Sequence, residues 1–262
     1  MWNFASQRRT CRHALAIAAV AAVGFGPIAS RADAPAACPA TAASTFSENG
    51  AEAVLTERSD KRPLRILAIG SSSTQGIGAS SPGAAYPAQL ETRLEKDWGI
   101  AADVVNAGVG GETSDTTLKR LLAALAEDSP DLIVWQVGTN DAVVGLDPAA
   151  FRANLAAGVA AAQAHRVPVV LVDPQFYFGI RNLARFQQYV NIIADVGAAR
   201  RVPVFSRFAM MRAWAKSSAA TLTAALSPDG FHMDDRGYAC FADALADDLV
   251  RQEEAAEPAE KL

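Results

Sequence analysis

Four short apolar runs, each closed by a turn of small or polar residues and followed by a stretch with helical spacing, constrain this chain most. Leu64–Gly70 ends in three serines and a threonine, and Val104 and Val105 lead into Asn106-Ala107-Gly108. Leu132–Val137 ends in Gly138-Thr139-Asn140-Asp141, and Val169–Val172 is the fourth run. Unbroken apolar runs fit strands covered on both faces. Between and after them, four sets of residues trace helical faces: Leu90, Leu94 and Trp98; Leu118, Leu121, Leu122 and Leu125; Phe151, Leu155 and Val159; and Phe186, Tyr189, Val190 and Ile193. Val202–Phe205 reads as a fifth short strand, and Phe241, Leu245 and Leu249 as a final helix. Asp147 before Pro148 is a good helix start, while Pro168 and Pro203 sit where strands begin. Strands alternating with helices predict a parallel sheet with right-handed crossovers, so that every strand's carboxyl end lies on one edge.

The first 34 residues follow a different rule. Arg8, Arg9 and Arg12 precede the apolar stretch Ala14 to Val23, and small residues then lead to Ala32-Asp33-Ala34. That order predicts a secretory signal in residues 1–34, because Gly24, Gly26 and Pro27 interrupt the apolar stretch before it reaches the roughly 20 residues of a membrane span. Cleavage after Ala34 removes four Arg and one Asp from 24 basic and 28 acidic residues, leaving 20 against 27, a net charge of −7. An acidic surface of that size argues against nucleic acid or an anionic membrane as partner. Residues 35–60, rich in Ala, Ser, Thr and Pro, read as a linker or a surface arm, 61–255 as one catalytic domain, and 256–262 as a frayed tail. Cys38 and Cys240 remain after cleavage, and their spacing fits a disulfide in an oxidising compartment as well as it fits two separate thiols. No Cys-x-x-Cys or histidine cluster suggests a metal.

The serine turn after the first strand is a candidate source of a nucleophile. A serine hydroxyl is a poor nucleophile at neutral pH, so the chain must also supply a base, a carboxylate to orient it and donors for an oxyanion. Of three histidines, His13 leaves with the signal and His165 sits at a helix end, which leaves His232. It follows Asp229 by three residues in a turn-forming stretch, a spacing that lets the carboxylate hold one ring nitrogen while the other faces a serine. No Gly-x-Ser-x-Gly elbow, no phosphate loop and no dinucleotide fingerprint is present.

Four separated blocks together resemble the SGNH hydrolases, also called the GDSL esterase and lipase family. Gly70-Ser71-Ser72-Ser73-Thr74-Gln75-Gly76 is similar to Gly-Asp-Ser-x-[Ser/Thr]-x-Gly, with Ser71 where the family has aspartate, and the resemblance implies Ser72 as nucleophile. The second block, Asn106 to Thr113, implies that Gly111 offers its N–H to the oxyanion. Gly138-Thr139-Asn140-Asp141 implies Asn140 as a side-chain donor, and Asp229-Gly230-Phe231-His232 is the Asp-x-x-His block. With the strand pattern, this leads to a three-layer α/β/α flavodoxin-like fold with a five-stranded parallel sheet.

The expected activity is that of an exported, cofactor-free serine esterase acting on carboxylic esters through Ser72, His232 and Asp229. Ser72, Gly111 and Asn140 form its oxyanion hole. Asp141 is expected to bond backbone within the turn that aims Asn140. Glu112, Gln175 and Tyr177 are candidate substrate contacts, the last two because they follow the fourth strand and can wall a pocket. The partners expected are a small-molecule or glycan ester, with no stable insertion into a membrane. An O-acetyl esterase or acyltransferase of cell-wall or exopolysaccharide sugars would use the same residues. A non-catalytic exported solute-binding module is the reading from a different class.

Overall fold

The computed structural model describes residues 38–39, 62–127 and 130–256. Its strands are β1 (Leu64–Gly70), β2 (Ala102–Gly108), β3 (Leu132–Gln136), β4 (Val169–Val172) and β5 (Val204–Phe205). They form one sheet in the order β2-β1-β3-β4-β5 with every neighbouring pair parallel, the order of flavodoxin-like doubly wound folds. The helices are α1 (Ser72–Gln75), α2 (Tyr86–Trp98), α3 (Ser114–Glu127), α4 (Thr139–Val144), α5 (Pro148–Ala164), α6 (Leu183–Arg200), α7 (Arg207–Ser217), α8 (Ala219–Thr223) and α9 (Asp235–Ala256).

Successive strand residues point to opposite faces of the sheet, and both faces are covered. Ile66, Ala68, Val134, Val170 and Val172 share a buried cluster with Leu90 and Leu94 of α2, Met211 and Trp214 of α7, and Phe241 and Leu245 of α9. Leu67, Ile69, Ile133, Trp135 and Leu171 pack the other way, against Leu121 and Leu125 of α3, Phe151 and Leu155 of α5, and Tyr189 and Ile193 of α6. Two dry faces are the reason the runs are continuous rather than alternating. The edge strand β2 is the exception, with Asp103 and Val105 exposed.

Four details depart from the sequence reading. Trp98 is 39% exposed, because it is the last residue of α2 and the left-handed Gly99 ends the helix there. Leu122 is 44% exposed, since it lies one residue, about 100° of turn, away from the Leu121 and Leu125 face. Strand β5 starts at Val204, and the Val202 N–H is instead taken by Gly197 O at the exit of α6. Helices α7 and α8 are absent from the periodicity reading. The buried stripe of α7, at 207, 210, 211 and 214, has helical spacing but begins on an arginine, which a search for apolar repeats passes over.

Cys38 and Cys240 form a disulfide with a Cα–Cα distance of 5.3 Å, closing a separation of 202 residues and fastening Cys38 to α9. The signal of residues 1–34, the arm of 35–60 apart from Cys38 and Pro39, and the tail after Ala256 lie outside the described residues. Among the described residues no helix is long and apolar enough to cross a membrane. Closing a long loop stabilises chiefly by restricting the unfolded chain, so Cys38→Ser should lower the free energy of unfolding by about 2–5 kcal/mol. Urea unfolding measures this, and reductant should destabilise the native protein while leaving the variant unchanged.

Candidate active site

At the end of β1 the chain has no room for a side chain, because a Cβ on Gly70 would lie 2.4 Å from Thr74 Oγ1 and 2.7 Å from Gln136 O. Ser71, 5% exposed, turns inward. Its N–H and its hydroxyl both donate to Gln136 Oε1, at 3.0 and 3.1 Å, and Thr74 Oγ1 donates to the same oxygen at 3.3 Å. That inward pull leaves Ser72, the first residue of α1, half-buried at the mouth of the turn. Beside it, β2 ends at Gly108, where a Cβ would meet Gln75 N at 2.0 Å, so only glycine lets the two carboxyl-end loops come together.

His232 reaches the same place from the far end of the chain. The turn that carries it is closed by Ser227 N–H to His232 O at 2.8 Å and Gly230 N–H to Ser227 O at 2.9 Å. Asp229 sits inside the turn. Its Oδ1 accepts from Ser227 Oγ at 2.7 Å, from Phe231 N at 2.8 Å and from His232 N at 2.9 Å, while Oδ2 lies 2.6 Å from His232 Nδ1. His232 Nε2 is 2.9 Å from Ser72 Oγ. An ionised carboxylate only accepts, so Nδ1 carries the ring proton and Nε2 is left to accept from the Ser72 hydroxyl. Burial raises the pKa of the Asp229 carboxyl, but the bonds from the imidazole, the two backbone N–H groups and the Ser227 hydroxyl outweigh it and hold it well below the usual carboxylate range.

The remaining donors come from the loops after β2 and β3. Asn140, in the first turn of α4, donates through Nδ2 to Glu112 O at 2.8 Å, and the amide keeps a second hydrogen. Gly111 has φ +81°, the left-handed region in which glycine carries no steric penalty, and the space where a Cβ would stand is open. Asp141 is fully buried, and burial pushes its carboxyl pKa up against the bonds from Ser114. Its Oδ1 accepts from Ser114 N at 2.8 Å. Besides the bond from its own backbone N–H, within the turn as the sequence suggested, Asp141 ties α4 to the start of α3 and so couples the segments that hold Gly111 and Asn140.

The other three candidates fall in different surroundings. Glu112 has its carboxylate gripped by Arg120, with Nε at 2.9 and 3.0 Å and Nη2 at 2.6 Å, and Arg120 also donates to Ala107 O at 2.9 Å. Gln175 is 2% exposed and bonded inside the protein to Ser73, Thr139, Arg207 and Phe231. Tyr177 is half-buried, edge-on to Phe231 at 4.7 Å between ring centroids, and Phe231 in turn stands 4.6 Å from the His232 ring. It also lines a cavity of about 400 Å³ with Ala142, Val143, Ile180, Arg181 and Phe186. The sequence reading did not single out Gln136 or Arg207. A glutamine closing an otherwise apolar strand was the available signal for the first, whereas nothing local marks Arg207 as buried.

The chain matches the non-GDSL lipase-like family over residues 37–255. It belongs to that family. The family's description suits the first block, where Ser71 occupies the aspartate position. Among curated relatives, esterase TesA of Pseudomonas aeruginosa is 32% identical over 154 residues, covering 58% of this chain and 75% of that protein. The thioesterase 1/protease 1/lysophospholipase L1 of Escherichia coli is 35% identical over 83 residues, 32% of this chain and 38% of the relative. A crystal structure of TesA superposes with a TM-score of 0.61 at 26% identity, covering 72% of this chain and 99% of that one. The chain is an SGNH-type serine hydrolase.

The depressed Asp229 carboxyl makes a pH prediction. Its unfolded counterpart titrates near pH 4 (about 3.9), so the stabilisation from the turn is present above that value and is lost as pH falls through the lower folded value. Replacing Asp229 with Asn should therefore flatten the acid limb of a stability-against-pH curve, as followed by thermal unfolding between about pH 5 and pH 2.

Proposed function

We propose that this chain is an exported esterase that hydrolyses carboxylic esters with hydrophobic acyl or aryl parts through an acyl-enzyme on Ser72. As an SGNH-type serine hydrolase it acts on ester bonds. The observation that carries the finer reading is the unbroken line from Asp229 Oδ2 through His232 to Ser72 Oγ, with contacts of 2.6 and 2.9 Å. In this reading His232 takes the hydroxyl proton as Ser72 Oγ attacks the ester carbonyl. Asp229 holds the tautomer and stabilises the imidazolium. The N–H groups of Ser72 and Gly111 and the amide of Asn140 receive the oxyanion. His232 then protonates the leaving alcohol, and water repeats the sequence in reverse to release the acid.

The class of ester follows from the rim. Ile77, Val109, Val143, Val144 and Phe178 are 42%, 43%, 58%, 67% and 56% exposed. They come from the connections after β1, β2, β3 and β4, Val143 and Val144 being the last residues of α4, and therefore lie on the side of the sheet that holds Ser72 and His232. Apolar side chains gathered in this way suit a hydrophobic group better than an acetylated sugar. The cavity beside Tyr177 has a mixed lining, with Val143, Ile180 and Phe186 on its apolar part and Arg181, Asn182 and Arg185 on its polar part. Export is supported by the signal-like order of residues 1–34 and by the Cys38–Cys240 disulfide, which suits an oxidising compartment. The family match over 37–255 takes in all of 61–255, the segment read as the catalytic domain, together with most of the arm before it.

Full-length protein should hydrolyse p-nitrophenyl esters and be labelled by a fluorophosphonate, and Ser72→Ala should abolish both. Asn140→Ala should lower kcat by a hundredfold or more, since one oxyanion donor is worth about 2.7–4 kcal/mol, while circular dichroism stays native. Unchanged turnover in either variant would overturn its assigned role. With about 0.8 kcal/mol per buried methylene, kcat/KM should rise about fourfold for each carbon added from acetate towards hexanoate. Preference for acetylated oligosaccharides over the hexanoate ester would overturn the substrate class.

A further inference from the structure

We propose that the buried amide of Gln175 is a positioning residue that aligns three of the site's loops, so that its loss lowers turnover without touching substrate binding. The inference rests on the reading of Ser72, Asn140 and His232 given above. Gln175 Oε1 accepts from Ser73 Oγ at 3.3 Å, from Thr139 Oγ1 at 3.2 Å and from Arg207 Nη2 at 2.9 Å, and Nε2 donates to Phe231 O at 3.5 Å. Ser73 follows Ser72, Thr139 precedes Asn140 and Phe231 precedes His232. One planar group therefore touches the immediate neighbours of the nucleophile, the oxyanion donor and the base.

The amide is itself fixed. Arg207 is fully buried at the start of α7, and a guanidinium can only donate, so the oxygen of Gln175 must face it. Arg207 Nε donates to Asp173 O at 3.3 Å, and its guanidinium lies 5.8 Å from the centroid of Phe241. The Asp173 carboxylate accepts from Phe208 N at 2.8 Å and Ser206 Oγ at 2.6 Å, which pins the start of α7 to the end of β4. Burial lowers the Arg207 pKa to about 10, with Asp173 opposing the shift, so the cation persists at neutral pH. Three loops are thus referred to one anchor between β4 and α7, an element that contributes no residue to the line of Asp229, His232 and Ser72.

Gln175→Leu keeps the size of the side chain and removes all four bonds. A misplacement of about 1 Å at reacting atoms can cost about a hundredfold in rate. Turnover of p-nitrophenyl hexanoate, normalised to sites titrated with a fluorophosphonate, should accordingly fall by about 10- to 100-fold with KM within about threefold of wild type. Gln175→Glu retains an acceptor for Ser73, Thr139 and Arg207 and should recover most of the lost kcat. The pair Ser73→Ala and Thr139→Val, each removing one bond to Gln175, supplies the test should Gln175→Leu not fold, and each should lower kcat per titrated site severalfold. If these variants lose only thermal stability or titratable fraction, with kcat per site within twofold of wild type, the assignment is overturned. A Ser72→Ala control separates the two readings. Turnover that survives it removes the Ser72 reading and this inference together, whereas Ser72-dependent turnover that is indifferent to Gln175 removes the inference alone.

Discussion

A hydroxyl and an imidazole 160 residues apart lie at 2.9 Å because parallel strands in register set Ser72 on their common edge and the turn between α8 and α9 brings His232 to it. Gly70 at the end of β1 is level with Gly108 at the end of β2, and Ile69 is level with Trp135 of β3. Three loops therefore leave the sheet at one height. The chain continues from β1 outward to β2 and later from β3 in the opposite direction, so the order reverses between β1 and β3. Helix α2 covers one face and α5 the other, and the crevice between diverging connections is where open α/β sheets hold their chemistry. The site depends on that topology before it depends on any single side chain.

Beneath the crevice the structure breaks the rule that strand ends stay apolar. Gln136 is 1% exposed and holds Ser71 and Thr74, and Gln175, 2% exposed, holds Ser73 and Thr139. Buried amides carry a desolvation cost unless bonded, and here both oxygens accept from the small hydroxyl residues that shape the serine turn, while Gln136 Nε2 is buried without a partner. Gln136 takes on Ser71 at the position where the wider family pattern has an aspartate. The result is a polar floor, neutral on the side of the serine turn and anchored by the cation of Arg207 beneath Gln175. Local departures from consistent apolar packing are expected where a fold is built to hold a reactive group.

The carboxylates divide by partner rather than by sequence context. Asp229 is partly exposed yet held strongly acidic by four hydrogen bonds, so it stays charged beside the imidazole. Asp141 is fully buried with its pKa raised, and serves to join α4 to α3. Glu112 is neutralised by Arg120, which also reaches back to the carbonyl of Ala107. Each carboxyl group on this edge has a different task, set by the groups that donate to it.

The sequence by itself determined the layer architecture, because runs covered on both faces and stripes of helical period can satisfy their apolar surfaces in few other ways. It also determined the four blocks, since glycines without room for a Cβ and an Asp-x-x-His turn are local demands that a chain writes where they occur. Only the tertiary structure decided the rest. That Cys38 meets Cys240, that Asp141 bonds a residue 27 positions away, that Arg207 is buried and that Gln175 touches three loops are all consequences of long-range packing. A polar residue's partners come from other elements, and neither periodicity nor composition records which elements will be adjacent once the sheet has closed.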